Sequence, residues 1–300
     1  MTALTETDMA ATTGSFEIEP QGPYSLAAAA SFEFGPKEAQ PEDGIRLAFA
    51  VDNFTDTAAV AVHQDAAGVV HGVVQGSPDV EAVRAQVARI LSLDRDGRGW
   101  AEVGRRDPVV GGLQARRPGF RPMLFHSPYE AAAWSVLYGR KRLQQVRRLR
   151  ERLAGEYGVT YQVEGVTMAA FPPPARLLEV RPQPWLPETL VERLRLVAAC
   201  ALEGRLDTER LRSMDHDAAM ADLRTLPGVG PFFAGLILYR AAGPVDDWRR
   251  SKELDACIRH FYRADPDAPG VFEAIGEPLR PFRSWAAVLL RRYGYEEGVG

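Results

Sequence analysis

Apolar and polar residues alternate over several short stretches near the start of the chain: Ser-Phe-Glu-Ile-Glu at 15–19, Ser-Phe-Glu-Phe at 31–34, Ile-Arg-Leu-Ala-Phe-Ala-Val at 45–51, Ala-Val-Ala-Val-His at 59–63 and Val-Val-His-Gly-Val-Val at 69–74. Alternation sends every second side chain to the same face, and Gly, Pro and Asp punctuate the intervals, so these stretches predict antiparallel strands. The rhythm changes at Gly76-Ser77-Pro78. Between 79 and 93 the apolar positions Val80, Val83, Val87 and Ile90 recur at helical spacing, which predicts a helix.

After a Gly- and Pro-rich stretch at 107–122 the period is helical almost throughout, with candidate helices at 127–155, 188–203, 217–226, 231–242, 251–262 and 285–293. Phe-Pro-Pro-Pro-Ala at 171–175 and Arg-Pro-Gln-Pro at 181–184 act as breakers. The expected fold class is α+β: a disordered tail at 1–14, a small antiparallel-sheet αβ domain at 15–115 and an all-α domain at 116–300. With 300 residues, 46% of them hydrophobic, the chain can bury one large or two moderate cores without staples.

Composition narrows the setting. Cys200 and Cys257 lie far apart, and Cys257 falls in an apolar periodic segment, as reduced core thiols do, so a reducing compartment is expected. Residues 1–14 lack the basic start and apolar centre of a secretory signal, and no apolar run is long enough to span a bilayer, so a soluble cytoplasmic protein is expected. His63, His71, His126, His216 and His260 show no ligand spacing with each other or with cysteine, which predicts no catalytic metal and no iron–sulfur cluster. The net charge of −4 hides an asymmetry, because residues 1–115 carry 8 Lys and Arg against 17 Asp and Glu, whereas residues 116–300 carry 28 against 23. A polyanion responds to the local field it meets, so only the second part is suited to nucleic acid.

The most informative stretch is Leu-Pro-Gly-Val-Gly-Pro at 226–231. Gly228 and Gly230 allow a tight turn with positive φ, and Pro231 suits the first position of a new helix. Such a turn leaves N–H groups pointing outward at the positive end of the next helix dipole, a site for one phosphate oxygen through Gly228, Val229 and Gly230. Phosphate contact gives affinity for DNA without sequence preference. Two glycines between helices also make a plain compact hairpin, and the longer string decides for DNA. Arg140 to Arg152 adds seven basic residues in thirteen, either a phosphate-tracking face or a solvated one.

This string, followed by an apolar helix containing Ala234, resembles the signature of the helix-hairpin-helix DNA glycosylases. Leu91-Ser92-Leu93-Asp94, Asp107-Pro108-Val109, Pro118-Gly119-Phe120-Arg121-Pro122, Ser127-Pro128-Tyr129-Glu130-Ala131 and Pro281-Phe282-Arg283-Ser284-Trp285-Ala286 resemble successive landmarks of 3-methyladenine DNA glycosylase II, in the same order. The resemblance implies base-excision repair: a monomer binds damaged double-stranded DNA on the nucleoid, flips an alkylated purine and hydrolyses its bond to deoxyribose. It implies no cofactor beyond a structural monovalent cation at the hairpin.

The implied chemistry needs one ionised carboxylate to stabilise an oxocarbenium-like sugar. Local pattern points to Asp255, in Leu-Asp-Ala-Cys-Ile-Arg at 254–259, whereas spacing puts the family acid a turn earlier, near Ser251 or Lys252. Asp246 and Asp247 are further candidates. Relatives that also cut the strand carry Lys where this chain has Phe232, which implies hydrolysis without lyase activity. The implied base pocket comprises Phe232, Tyr129 and Trp134, with Arg291 where the family has Trp, so a cationic base loses cation–π stabilisation. At Val136-Leu137-Tyr138-Gly139-Arg140 the family's Gln is replaced by Gly139, leaving Arg140 as the candidate wedge. Two rival readings remain: a catalytically degenerate DNA-binding or damage-recognition protein on the same scaffold, motivated by Ser251, and a helical protein-interaction domain.

Overall fold

The computed structural model describes residues 12–31, 44–139 and 141–299. Strands β1 (Thr12–Ile18), β2 (Gly44–Ala50), β3 (Thr57–Gln64) and β4 (Val70–Gly76) form one antiparallel sheet in the order β1-β4-β3-β2. Alternation in β3 splits its residues as the pattern requires. Ala58, Val60 and Val62 face a core shared with helices α1 (Leu26–Ala30) and α2 (Val80–Ile90), while Ala59 and Ala61 face the opposite side. The tail is shorter than expected, because Thr12 and Gly14 already pair with Gln75 and Val74; residues 1–11 lie outside the described residues. The stretch expected as a strand at 31–34 begins with the cap of α1 at Ser31, and 32–34 also lie outside the description.

The remaining helices, in chain order, are α3 (Trp100–Arg106), α4 (Pro108–Arg116), α5 (Pro128–Tyr138), α6 (Leu143–Tyr157), α7 (Pro174–Leu178), α8 (Glu188–Leu202), α9 (Thr208–Ser213), α10 (His216–Leu223), α11 (Pro231–Ile237), α12 (Lys252–Cys257), α13 (Val271–Gly276) and α14 (Arg283–Glu296). Helices α11 and α12 each continue through a π turn, to Ala242 and Tyr262. The helix expected at 127–155 is broken at Gly139, whose φ of 48° leaves the helical region. Helix α5 is buried along nearly its whole length, so its sequence is apolar on all sides.

Two features depart from a sheet domain followed by an all-α domain. Strands β5 (Val159–Val163) and β6 (Val166–Ala170) form a hairpin inside the region expected to be all-α. Its turn places Glu164 and Gly165 at φ 47° and 78°, and Tyr161, Val163, Met168 and Ala170 close over the alanine face of the main sheet. Helices α3 and α4 pack Trp100, Val103, Val110 and Leu113 with Trp285, Leu289 and Tyr293 of α14, so the cores do not divide at residue 115. Asp107 caps α4 by accepting from Val110 N–H, and its other oxygen accepts from the Tyr262 hydroxyl at 3.1 Å.

A buried polar contact joins sheet and helices. Glu130 of α5 accepts from Ala50 N–H at 3.3 Å and lies 3.2 Å from both His126 and Arg150, with all three side chains buried. Burial works to raise the Glu130 carboxyl, but His126 and Arg150 outweigh it and hold it below the ordinary carboxylate range. Among the described residues no helix is long and apolar enough to cross a membrane.

Candidate nucleic-acid interface and active site

Helix α10 starts under an Asp215 cap that accepts from Asp217 and Ala218 N–H. It ends in the turn that the glycines require. Leu223, Leu226 and Val229 are buried and anchor the turn, with Leu226 N–H donating to Leu223 O and Val229 N–H to Leu226 O, each at 3.1 Å. Gly228 takes φ +79°, Gly230 is extended, and Pro231 opens α11, whose Ala234 N–H returns to Gly230 O at 2.9 Å. The Gly228 and Gly230 N–H groups donate to nothing among the described residues. Nothing lies within 4 Å of a Cβ built on Gly230, and one built on Gly228 meets only Arg193 Nη1, at 3.9 Å. The turn therefore faces open space with its donors outward. Of the predicted triple, Val229 acts from within, as the anchor.

Cations flank this turn where periodicity gave no hint. Arg193 of α8 and Arg224 at the end of α10 are exposed and make no ion pair among the described residues. The basic run that did attract attention is partly used internally. Arg150 is buried against Glu130, and Arg152 pairs with Glu156 and lies 4.4 Å over the Trp185 ring, while Arg142 and Arg148 are exposed. Arg140 lies outside the described residues.

Of the three aromatics expected at a base pocket, only Phe232 is open, at 65% exposure. It meets Phe233 edge-on at 5.2 Å, and Phe233 meets Tyr138 edge-on at 5.6 Å, so an aromatic path joins the hairpin helix to the end of α5. Tyr129 and Trp134 are core residues instead. The Tyr129 ring is fully buried between Phe54 and Phe171 and its hydroxyl donates to Pro172 O, while Trp134 packs on Phe125. Both sit on α5, the helix that the surrounding elements enclose on every side.

The candidate carboxylates are dispersed. Asp246 holds the start of α14 through Arg283, at 2.6 Å, and Arg280, at 3.1 Å. Asp247 accepts from the Tyr239 hydroxyl at 2.9 Å, lies 2.9 Å from His216 Nδ1 and 3.0 Å from Arg249 Nε. Burial first, then Asp247, pushes the Tyr239 phenol well up, so it remains a donor. Asp255 is gripped by Arg250 at 3.1 Å, and Arg250 is shared with Asp267 at 2.5 Å. That engagement makes Asp255 part of an ion-pair chain that ties α12 to the segments on either side of it.

The position favoured by spacing is different in kind. Ser251 is the N-cap of α12: its Oγ accepts from Leu254 N–H at 3.1 Å and also from Arg291 Nη2 at 3.1 Å. Two residues on is Glu253, a residue sequence reasoning did not consider. Burial works to raise its carboxyl, but hydrogen bonds from its own N–H and from Ser251, with the charges of Arg291 and Lys252, hold it below the ordinary range. An exposed, ionised carboxylate thus stands on the first turn of α12. Its only sequence signal was an acidic residue just after a capping serine. Cys257, one turn further in, is buried and its thiol is pushed up to about 11 by that burial. Among the described residues no three His, Cys, Asp or Glu side chains are grouped to hold a metal ion.

No family model matches the chain. A DNA-3-methyladenine glycosylase of Bacillus subtilis (strain 168) is 25% identical to it over 218 residues, 68% of this chain and 70% of that protein. The structure of a 3-methyladenine DNA-glycosylase from Archaeoglobus fulgidus superposes with a TM-score of 0.72 at 21% identity, over 94% of this chain and 98% of that one. An 8-oxoguanine glycosylase/lyase from Clostridium acetobutylicum, in complex with double-stranded DNA, superposes with a TM-score of 0.61 at 16% identity, over 87% and 90%. The chain has the fold of the helix-hairpin-helix DNA glycosylase superfamily, and its sequence resembles 3-methyladenine DNA glycosylase II.

Proposed function

We propose that this chain is a DNA N-glycosylase that grips duplex DNA at the 226–231 turn, extrudes a damaged purine and hydrolyses its bond to deoxyribose. The observation that carries this reading is the turn itself, with two outward N–H donors, open space above both glycines and Arg193 beside it, an exposed arginine with no ion pair among the described residues. Its backbone donors fit a phosphate and ask nothing of base sequence, as a search for rare lesions requires. The Gly228 and Val229 carbonyls accept no hydrogen bond among the described residues, so they fit a structural monovalent cation shared with that phosphate.

Phe232 supplies the exposed ring on which an extruded base stacks. The carboxylate we assign to the reaction is Glu253. It is ionised, exposed and within the turn of helix to which spacing directs the family's acid, whereas Asp255 is committed to Arg250. Placed beside C1′, it stabilises the developing oxocarbenium charge and takes a proton from the attacking water. With Phe232 where strand-cutting relatives have an amine, the reading is of a monofunctional hydrolase. It acts as a cytoplasmic monomer on the nucleoid, and alkylated purines are its first substrate class.

The test is release of bases from methylated duplex DNA by wild type, Glu253→Gln and Asp255→Asn. Release that Glu253→Gln abolishes and Asp255→Asn preserves supports the reading; no release of any damaged purine by wild type refutes it. A second reading, a damage-binding protein that hydrolyses nothing, is favoured by Ser251, an uncharged cap held by Arg291 where spacing expects an acid. Lesion-selective binding without release decides for it.

A further inference from the structure

Helix α8 ends in a turn that fixes the residue after it. Gly204 takes φ +77° and its N–H donates to Ala201 O at 2.9 Å, while Arg205 N–H donates to Cys200 O at 3.0 Å. Both bonds reach back over the helix end, so Arg205 has a set place as the chain leaves α8. Its guanidinium then crosses to the end of α10. Nη2 donates to Asp222 Oδ1 at 2.7 Å, to Asp222 O at 3.2 Å and to Thr225 Oγ1 at 2.6 Å, and Nη1 donates to Cys200 Sγ at 3.4 Å. Arg210 of α9 holds the other Asp222 oxygen at 3.0 Å, and Thr225 Oγ1 donates to Asp222 O at 2.7 Å. This knot closes one residue before Leu226, the buried anchor of the phosphate-facing turn.

The stability of α10 does not call for such an arrangement. Asp222 lies in the last turn of that helix, where the helix dipole disfavours a negative charge, and a neutral residue there would need no arginine. Burial works to raise its carboxyl, but Arg205 and Arg210 outweigh it and hold Asp222 below the ordinary carboxylate range. What the oriented charges supply is direction. The turn beyond them carries two glycines with open space above both, so it is held only from its ends.

We propose that Arg205 is a positioning residue for DNA binding: by fixing Asp222 and Thr225 it sets the last turn of α10, so that the Gly228 and Gly230 N–H groups already converge on the place of one phosphate oxygen. This rests on the phosphate reading of the turn and goes beyond it by naming what sets the turn's geometry. Arg205 itself touches no phosphate. A preset turn loses less conformational freedom on binding, which raises affinity without any added contact. Position and charge then predict opposite signs. If Asp222 acted through its charge alone, removing that carboxylate would tighten binding to a polyanion, whereas loss of position weakens it.

The experiment measures affinity for a fluorescein-labelled duplex carrying a tetrahydrofuran abasic analogue, over a salt series and well below each protein's melting temperature. Wild type is compared with Arg205→Gln, Asp222→Asn, Thr225→Val and Gly230→Asp. Arg205→Gln and Asp222→Asn are each expected to weaken binding by about three- to tenfold, with the slope of log affinity against log salt unchanged. Thr225→Val removes one hydroxyl and no charge; it is expected to weaken binding in the same sense, and it keeps the test decisive should a charge variant fail to fold. Tighter or unchanged binding by Asp222→Asn or Thr225→Val overturns the proposal and leaves the phosphate reading intact. So does a slope reduced by about 0.9 in Arg205→Gln, the signature of a lost direct phosphate contact. Wild-type affinity that does not respond to salt, or that Gly230→Asp leaves unchanged, overturns the phosphate reading itself.

Discussion

The 226–231 turn and the first turn of α12 lie 20 residues apart, and they were built on different terms. At the turn the working groups belong to the backbone: Gly228 supplies a positive φ, Gly230 an open approach, and Val229 an anchor. At α12 the candidate groups are side chains from separate elements, with Ser251 and Glu253 at the start of one helix, Arg291 on another and Tyr239 on a third. A backbone site tolerates few substitutions because conformation itself is the function. A side-chain site can be rewritten residue by residue while the scaffold persists.

Several changes would break or sharpen that contrast. The largest effect is expected from Glu253→Gln, which should slow base release by about 10²-fold while DNA affinity stays within about twofold, because an oriented charge acts mainly in the transition state. Single-turnover release and anisotropy binding check it. Gly230→Asp should act in the opposite sense, weakening binding by about tenfold or more as a carboxylate meets the phosphate, with little change in melting temperature. Gly228→Ala is expected to cost about 1–2 kcal/mol of stability, since an L-residue is strained at that φ; denaturant unfolding measures it. Asp255→Asn should change stability by only about 0–1 kcal/mol and leave release nearly intact.

The pH profile bears on the same contrast. Since the Glu253 carboxyl is held below its ordinary range, it stays charged as pH falls through that range and gains its proton only below it. Its depressed folded value also adds stability above the unfolded pKa that is lost as pH drops through the folded one, a small contribution for so exposed a group. Base release limited by Glu253 should therefore hold on the acid side until below the usual carboxylate range.

Much of the fold was legible because its signals are local. Period-two stretches became β2, β3 and β4, and helical periods at 188–203, 231–242 and 251–262 match helices within a residue or two. The β5–β6 hairpin was equally written, as alternation around Glu164-Gly165, but it was submerged in a region dominated by helical period. Helices α3 and α4 were missed because Gly104, Gly111 and Gly112 weaken their period. Those first two glycines let the helices touch, since a Cβ on Gly111 would lie 2.3 Å from Gly104 O. The site was legible only where one segment makes it. Tyr129 and Trp134 were misplaced because an aromatic residue looks the same in sequence whether it lines a pocket or fills a core. Glu253 and Arg291 acquire meaning only when folding brings α12 and α14 together.

The central claim is that binding is set by the turn and bond cleavage by Glu253, and the most direct measurement follows both on one lesion duplex for wild type, Glu253→Gln and Gly230→Asp. The account predicts that Glu253→Gln binds normally and releases base about 10²-fold more slowly, and that Gly230→Asp binds poorly but releases base once driven onto DNA at high protein concentration. Unchanged release by Glu253→Gln, or unchanged binding by Gly230→Asp, would contradict it.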